Sequence, residues 1–510
     1  VAYLIGIDIG TSSTKALLCT DEGRVVASAV LEYGVDNPQP LWSEQDPERW
    51  WAATVDTVKA VMDYAKIPGT EIGGIGLTGQ MHGAVFMDAD NNVLRPAILW
   101  NDQRTATECV EITEKAGGRD KLIGMVSNPA LTGFTAPKIL WVRKNEPEIY
   151  ARVRKVLLPK DYIRFRMTGQ FATDVSDASG TLLLDVKNRR WSDEMLQKLE
   201  IDRSLLPDCF ESTVVSGKVT EEAAAEMGIA VGVPVVGGGG DQAAGAVGNG
   251  IVRPGVISAT LGTSGVVFAF ADTPAIDPQG RAHTFCHAAP GKWHVMGVML
   301  SAGGSLQWFR NNLGEMEREQ ASRMKIDAYE ILCEEAEDAD PGCEGLVFLP
   351  YLTGERTPHA NPNARGAWIG LTTRHGRAHM IRSIMEGVTF GMKDSLQIMR
   401  ELGIPIGDIR CSGGGARSEF WLSVQADVYE SPVCTINATD GPAFGAALLA
   451  GVGTGAWSSV EEACDSTINV ISRTEPNEAN YEIYRKSYAM FRKLYNSLRE
   501  DFDIITSLAK

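Results

Sequence analysis

One glycine–hydroxyl pattern occurs twice in this chain, about half a chain apart, and no other feature constrains the fold as tightly. The first copy is Gly6-Ile7-Asp8-Ile9-Gly10-Thr11-Ser12, followed by Ser13, Thr14 and Lys15. The second is Thr260-Leu261-Gly262-Thr263-Ser264-Gly265, followed by Val266-Val267-Phe268-Ala269-Phe270. Each Gly-Thr-Ser stands between two apolar, β-branched runs, the signature of a hairpin with a tight small-residue turn. Glycine lets backbone N–H groups come close to an anion, and the hydroxyls add donors. A single Gly-Thr-Ser arises often by chance, but the matched strand contexts favour duplication. Two such turns, one per half, predict two domains gripping one polyphosphate through Gly10, Thr11, Ser12 and Ser13 and through Gly262, Thr263 and Ser264.

Length agrees with duplication, because 510 residues exceed what one core holds. A hydrophobic content of 44% with 22% charged residues is that of a soluble globular protein. The net charge of −17 excludes nucleic acid and an anionic membrane surface as the main partner. The most apolar window, 255–271, is interrupted by Ser258, Thr260, Thr263 and Ser264, so it reads as a hairpin and not as a membrane span. Nine cysteines, an odd number, include no C-x-x-C pair. With no signal-peptide pattern, reduced thiols in a cytoplasmic protein are expected.

Along the chain β and α signals alternate. Residues 3–9, 14–19 and 24–32 read as a strand meander, and Asp46-Pro47 as the start of an amphipathic helix over 48–65. A strand over 72–78 ends in Gly79-Gln80-Met81-His82-Gly83. A helix over 221–228 stops at Gly228, and a strand over 233–236 enters a run of four glycines. The second half repeats this grammar, with strands at 256–261, 266–270 and 293–299 and a helix over 301–312. No Pro/Ser-rich linker intervenes, so the division is placed between 1–248 and 249–510. The spacing of Trp50 and Trp51 around a helix start suits core packing, whereas Trp42 stays open between packing and ligand stacking.

The glycine run Gly237-Gly238-Gly239-Gly240 leads into Asp241-Gln242-Ala243-Ala244-Gly245-Ala246. One carboxylate among tiny side chains has room for a substrate. At a strand end entering a helix, Asp241 is expected to stay ionised through the helix N–H groups and to accept a proton from an attacking hydroxyl. The alternative is a plain N-cap. A third cluster, Ser412-Gly413-Gly414-Gly415-Ala416-Arg417-Ser418, joins a strand over 406–411 to a helix starting near Glu419. Gly413, Gly414, Gly415 and Ser418 there suit a nucleotide at a helix N-terminus. Asp440-Gly441-Pro442-Ala443-Phe444-Gly445 opens a small-residue helix suited to close packing beside the nucleotide. No G-x-x-x-x-G-K-[ST] loop and no H-R-D motif occur. His283, Cys286 and His287 are read as structural and not as metal ligands.

Taken together, the paired Gly-Thr-Ser turns, the Asp241 segment and the Gly413-Gly414-Gly415 turn resemble the FGGY carbohydrate kinases. Two longer stretches fit as well. One runs from Gly133 to Asn145 with Lys138 and Trp141, the other from Gly366 through Gly370 and Leu371 to His379 and Glu386. The resemblance implies an α/β fold of two ribonuclease-H-like (actin/Hsp70-type) domains flanking a central ATP/sugar cleft. Residues 1–248 would carry the sugar site, the first phosphate turn and Asp241, and residues 249–510 the second phosphate turn and the adenosine site. ATP with Mg²⁺ is the implied cofactor pair, with Asp8 and Asp241 near the metal and Asp241 as the base. Within the family the chain is most similar to the xylulokinases. The residues concerned are Leu41-Trp42-Ser43-Glu44-Gln45-Asp46-Pro47, Gly79-Gln80-Met81-His82-Gly83, Leu99-Trp100-Asn101-Asp102, Leu158-Pro159-Lys160-Asp161-Tyr162, Ser176-Asp177-Ala178-Ser179-Gly180-Thr181 and Gly354-Glu355-Arg356-Thr357-Pro358-His359.

That similarity implies D-xylulose as the small-molecule partner, phosphorylated at O5. Gln80, Met81, His82, Asp241 and Gln242 would then be the sugar contacts. Gln242 departs from the Asn that follows the base in some bacterial xylulokinases. Kinases for L-xylulose, ribulose or glycerol, and a non-catalytic ATP-gated clamp of the same fold, stay as alternatives. The family often forms homodimers, and the periodicity here shows no dimer seam.

Overall fold

Strand β1 (Tyr3–Ile9) and strand β2 (Ser13–Thr20) form the first hairpin, with Asp8 opposite Lys15 and Ile9 opposite Thr14 across the Gly-Thr-Ser turn. These elements belong to a computed structural model that describes residues 2–438 and 440–508. The chain divides into two compact units. The first comprises Val1–Arg253, Phe270–His294 and Ala438–Asn469; the second comprises Pro254–Ala269, Val295–Asn437 and Val470–Lys510.

In the first unit, Val25–Glu32 extends the hairpin into an antiparallel meander, and Tyr3–Ile9 pairs in parallel with Ile72–Gly79. Pro234–Val236 and the short Gly239–Gly240 strand run parallel to Ile72–Gly79 as well. Helix Pro47–Ala65 covers one face. The Asp46 carboxylate caps it by accepting from the Glu48 N–H at 3.0 Å, and Pro47, with no N–H to lose, fits the first turn. Its buried residues, Trp50 and Trp51 among them, join Ile5, Ile7, Ile9, Leu18, Ile75 and Leu77 in one core. That outcome matches the packing role read for both tryptophans. The other face is covered by helix Gly441–Thr454. The fit needs bare backbone in the strands: a Cβ at Gly6 or at Gly76 would lie 1.9 Å from the carbonyl oxygen of Ala443 or of Ala446. Helix Asp241–Gly248 packs on this same small-residue helix.

The units are therefore discontinuous, whereas the sequence reading has two contiguous stretches. The segments 270–294 and 438–469 pack with the first unit. The small-residue helix packs as closely as its sequence suggests, backing the Tyr3–Ile9 strand and the Asp241 helix.

The second unit repeats the grammar. Gly255–Leu261 and Gly265–Ala271 form a hairpin closed at Leu261 opposite Gly265. The first of these strands pairs in parallel with Ile406–Ser412, which pairs in parallel with Val433–Ile436. Val470–Thr474 adds an antiparallel edge. Helix Arg377–Glu401 lies against this architecture, burying Met385, Val388, Met392 and Leu396. A hairpin followed by a parallel partner strand thus occurs in both units, which is the duplication read from the paired turns. Among the described residues no helix is long and apolar enough to cross a membrane.

Candidate functional site

The first Gly-Thr-Ser turn is held from outside as well as by its own hairpin. Gly10 N–H donates to the Ser13 carbonyl at 2.9 Å, and Tyr33 N–H donates to the Ser12 carbonyl at 2.9 Å. Two amide side chains brace it. Gln45 Nε2 donates to the Thr11 carbonyl at 2.7 Å, and Gln80 Nε2 donates to the Gly10 carbonyl at 3.3 Å and to Gln45 Oε1 at 3.1 Å. Thr11 Oγ1 donates to Gln80 Oε1 at 3.2 Å and accepts from Trp100 Nε1 at 2.9 Å. Gln80 was expected at the sugar. Instead it is 2% exposed, with both ends of its amide engaged by the turn and by Gln45. The cause is register: Gln80 N–H continues the parallel ladder to the Ile9 carbonyl at 2.8 Å, which sets the residue beside Gly10.

Asp8 lies one residue before the end of the Tyr3–Ile9 strand, and Lys15 across from it is ion-paired to Asp440. The Asp8 carboxyl is enclosed, and its Oδ1 has no hydrogen-bond partner. Burial pushes its pKa up to about 6 against the opposing pull of Lys15. Asp241 is the first residue of helix Asp241–Gly248. Its Oδ1 accepts from the Gln242 N–H at 2.7 Å. Even so, burial first and the charge of Asp8 second push Asp241 up to about 7. The helix N–H expected to keep Asp241 ionised does pull its pKa down, but enclosure and a second carboxylate outweigh that pull.

Two crowded carboxyls, one with an orphaned oxygen, form a hard-oxygen donor set that fits Mg²⁺. That ion is commonly held by one or two carboxylates, with phosphate oxygens and water completing its shell. Among the described residues no group of three or more His, Cys, Asp or Glu is arranged to hold a metal. His283, Cys286 and His287 sit in the first unit, where the His287 ring nitrogens bond the Ile251 carbonyl at 2.9 Å and the Ala289 N–H at 2.8 Å.

The Gln-Met-His-Gly loop meets Gly240, the residue before Asp241, through Met81. Met81 is 5% exposed, and a Cβ added to Gly240 would stand 2.8 Å from its Cγ and Sδ. His82 adopts a left-handed backbone, φ 68°, which turns the loop sharply. Its Nδ1 bonds the Gly180 carbonyl at 2.8 Å. A carbonyl only accepts, so Nδ1 carries the hydrogen of this bond. The ring leans on Phe134, centroids 4.8 Å apart. Lys138 Nζ donates to the His82 carbonyl at 2.8 Å and to the Gly133 carbonyl at 2.6 Å, and burial pushes this lysine down to about 7.

The first unit therefore gathers Met81, His82, Asp241, Gln242 and Asp8, with Gln80 serving the turn. Sequence reasoning assigned no role to Gln45, Phe134 or Gly180. Lys138 was visible only as part of a longer stretch, with no partner to explain it. Trp42 is resolved toward packing: the Arg104 guanidinium lies 3.7 Å from its ring centroid, and Trp141 meets it edge-on.

The second unit holds a cavity of about 830 Å³ lined by Gly262, Thr263, Gly414, Gly415, Ser418 and Trp421 among others. That size suits a small molecule or cofactor. Helix Gly303–Asn312 secures the turn, with Gly303 N–H on the Gly262 carbonyl at 2.8 Å and Gly304 N–H on the Thr263 carbonyl at 3.0 Å. Ser264 and Gly413 are exposed beside this cavity's turns but do not line it. Ser264 closes the hairpin by accepting from Gly262 N–H at 3.0 Å, and Gly413, φ 79°, packs so tightly that a Cβ would meet the Leu261 carbonyl at 2.6 Å. Ser418 also caps helix Glu419–Tyr429 by accepting from Trp421 N–H at 3.1 Å. Asp327, Glu330, Glu334, Glu337 and Glu419 line the rest, with Arg417 as a cation. Carboxylates accept from hydroxyl and amino groups and repel phosphates. The carboxylates therefore suit the hydroxyl and amino groups of a ribose or a base, and the Gly262–Thr263 turn suits an anion.

Residues 3–248 match the N-terminal domain of the FGGY family of carbohydrate kinases, and residues 257–454 match its C-terminal domain. The chain is 43% identical to a xylulose kinase of Escherichia coli (strain K12), over 97% of this chain and 99% of that protein. It is 38% identical to a xylulose kinase of Bacillus subtilis (strain 168), over 98% and 97% of the two chains. The crystal structure of a xylulose kinase from Rhodospirillum rubrum superposes with a TM-score of 0.91 at 30% identity, covering 98% of this chain and all of that one (100%). The chain belongs to the FGGY family of carbohydrate kinases.

Proposed function

We propose that this kinase transfers the γ-phosphoryl group of ATP to O5 of D-xylulose, giving D-xylulose 5-phosphate and ADP. The observation that carries the reading is the junction of Met81 with Gly240, which sets the loop bearing His82 directly against the residue before Asp241. In this reading His82, its ring oriented by the bond between Nδ1 and the Gly180 carbonyl, contacts a sugar hydroxyl, and Met81 supplies an apolar wall for the carbon chain. Asp241 accepts the proton of the O5 hydroxyl as that oxygen bonds to the γ-phosphorus and the bond to the β,γ-bridging oxygen breaks. A carboxyl raised to about 7 suits this task, because a base works best when its pKa lies near the working pH. Gln242 orients the carboxylate.

The transition state of phosphoryl transfer is loose, so positioning and charge dispersal do most of the catalysis. Thr11, Ser12 and Ser13 in the first unit and Thr263 and Ser264 in the second are the phosphate donors of this reading. The cavity at Gly414, Gly415 and Ser418 takes the nucleoside. Bound Mg²⁺ would be held by Asp8 and Asp241 and would neutralise phosphate charge. We place the protein in the cytoplasm, in keeping with nine cysteines that are all free thiols. A homodimer belongs to the same reading and is tested by sedimentation velocity.

A coupled ADP-release assay with Mg²⁺ across D-xylulose, L-xylulose, D-ribulose, L-ribulose, glycerol and gluconate tests the proposal. Preference for D-xylulose, with little ADP formed in the absence of sugar, supports it. Preference for another acceptor overturns the substrate and leaves the kinase. ATP binding with no transfer to any acceptor overturns the reaction.

A further inference from the structure

A buried ionic cluster lies behind the glycine run. Lys160, Asp161, Arg164, Asp174 and Asp177 have no exposed surface. Lys160 Nζ lies 2.6 Å from Asp161, 2.9 Å from Asp174 and 3.2 Å from Asp177. Burying five charges is costly, and such clusters are poor devices for stability, since apolar replacements are often neutral or stabilising. Their placement is what distinguishes them here.

The cluster grips the backbone from Val236 to Gly240 at three points. Arg164 donates to the carbonyls of Val236 and Gly237. Asp174 Oδ2 accepts from Ser212 Oγ at 3.2 Å, and the Ser212 carbonyl accepts from Gly238 N–H at 2.8 Å. Asp174 Oδ2 also accepts from Ser176 Oγ, which in turn accepts from Gly240 N–H at 3.1 Å. A run of glycines has no side chains to fix its path and loses more conformational freedom on ordering than any other sequence. Its path must therefore be set by bonds to its backbone, and the last of these bonds ends one residue before Asp241.

We infer that Ser176, held by Asp174, which Lys160 in turn pairs, is a positioning residue for Asp241, fixing the backbone on which the base is mounted. Ser176 touches neither substrate nor the reacting atoms in this assignment and acts only through Gly240. The inference rests on the general-base role proposed for Asp241. It goes further by assigning a function to a cluster that the reaction itself does not use.

A double-mutant cycle tests it, with the acceptor sugar on which the wild-type protein is most active. Ser176→Ala is expected to lower kcat about tenfold, the scale of a lost hydrogen bond that sets orientation. KM for sugar and for ATP should each stay within about threefold, because the Met81–His82 loop and the nucleotide cavity keep their own supports. In an Asp241→Asn background, measured at high enzyme concentration, the same change is expected to alter kcat less than about twofold, since the group it positions has lost its function. Equal fold-losses in both backgrounds, or no loss in the wild-type background, overturn the inference. If Ser176→Ala does not fold, Ser212→Ala breaks a second link to Asp174 and is held to the same background dependence. Failure of the underlying reading shows separately, as an Asp241→Asn single variant that keeps wild-type kcat.

Discussion

Gly240→Ala isolates the junction on which the site depends. The backbone at Gly240, φ −58° and ψ 152°, is one that alanine adopts freely. Conformation alone would favour the change by about 0.4–1 kcal/mol through the unfolded chain. The added methyl, however, would lie 2.8 Å from Met81 Cγ and Sδ and 2.9 Å from its Cε. Ordinary carbon contacts need about 3.5–4.0 Å, so the Met81 side chain must retreat by roughly 0.7–1.2 Å. Overpacking of this kind costs about 1–3 kcal/mol. Set against the backbone gain, the net loss of stability is roughly 0–2.5 kcal/mol, which leaves the protein folded. The effect on function is larger, because a misplacement near 1 Å in a positioned site costs up to about 100-fold. The assay is steady-state kinetics with sugar and ATP varied separately, alongside thermal unfolding. The expected result is a rise of about tenfold or more in the sugar KM, with the ATP KM within about twofold and only a small change in Tm. Sugar kinetics equal to wild type, or an ATP KM that rises as much as the sugar KM, would refute the claim that Met81 carries the sugar-facing loop.

Asp241→Ala is expected to lower kcat by about 10²–10⁴, the range of a positioned base, and near-full activity in a folded variant removes the assignment. Gln80→Ala is expected to raise the ATP KM more than the sugar KM, because Gln80 braces the Gly10–Thr11 turn; a selective sugar effect on the same plots would reverse that placement. His287, fully buried, is pushed down to about 3 by burial, below its ordinary value near 6.5. The unfolded chain therefore binds this proton first, so the contribution of His287 is complete above about pH 6.5 and is lost at about 1.4 kcal/mol per pH unit as the pH falls toward 3. Between pH 6.5 and 5, unfolding free energies of His287→Gln should fall less steeply than wild type by that slope, and parallel curves would contradict it.

The hairpins were legible in the sequence because strand alternation and a Gly-Thr-Ser turn are local signals, each complete within about fifteen residues. Helix Pro47–Ala65 was legible for the same reason, through Asp46 and Pro47. Asp241 stood out because four glycines precede it. What escaped were properties created by distant partners. The charge state of Asp241 depends first on its enclosure and then on Asp8, more than two hundred residues away, which together outweigh the helix N–H that the sequence made visible. Gln80 looked like its loop neighbours Met81 and His82, but strand register turns it to Gly10. The Lys160 cluster was present in the sequence as motif residues with no geometry to join them. The helix at Gly441 read correctly as small-faced, while the surface it covers was invisible until Gly6 and Gly76 were seen beneath it.

That last helix bears on the order of events when the chain is made. Strands Tyr3–Ile9 and Ile72–Gly79 emerge early from the ribosome, yet the element that seals their second face, Gly441–Thr454, follows more than three hundred and fifty residues later. Until then the bare backbone at Gly6 and Gly76 and the apolar surface around it have no cover. The first unit cannot finish folding as soon as residue 248 has been synthesised, and a fragment cut there is expected to be aggregation-prone. Adding residues 438–469 to that fragment as a separate peptide should restore a cooperative unfolding transition, which makes the first half of this kinase dependent on the last part of its chain.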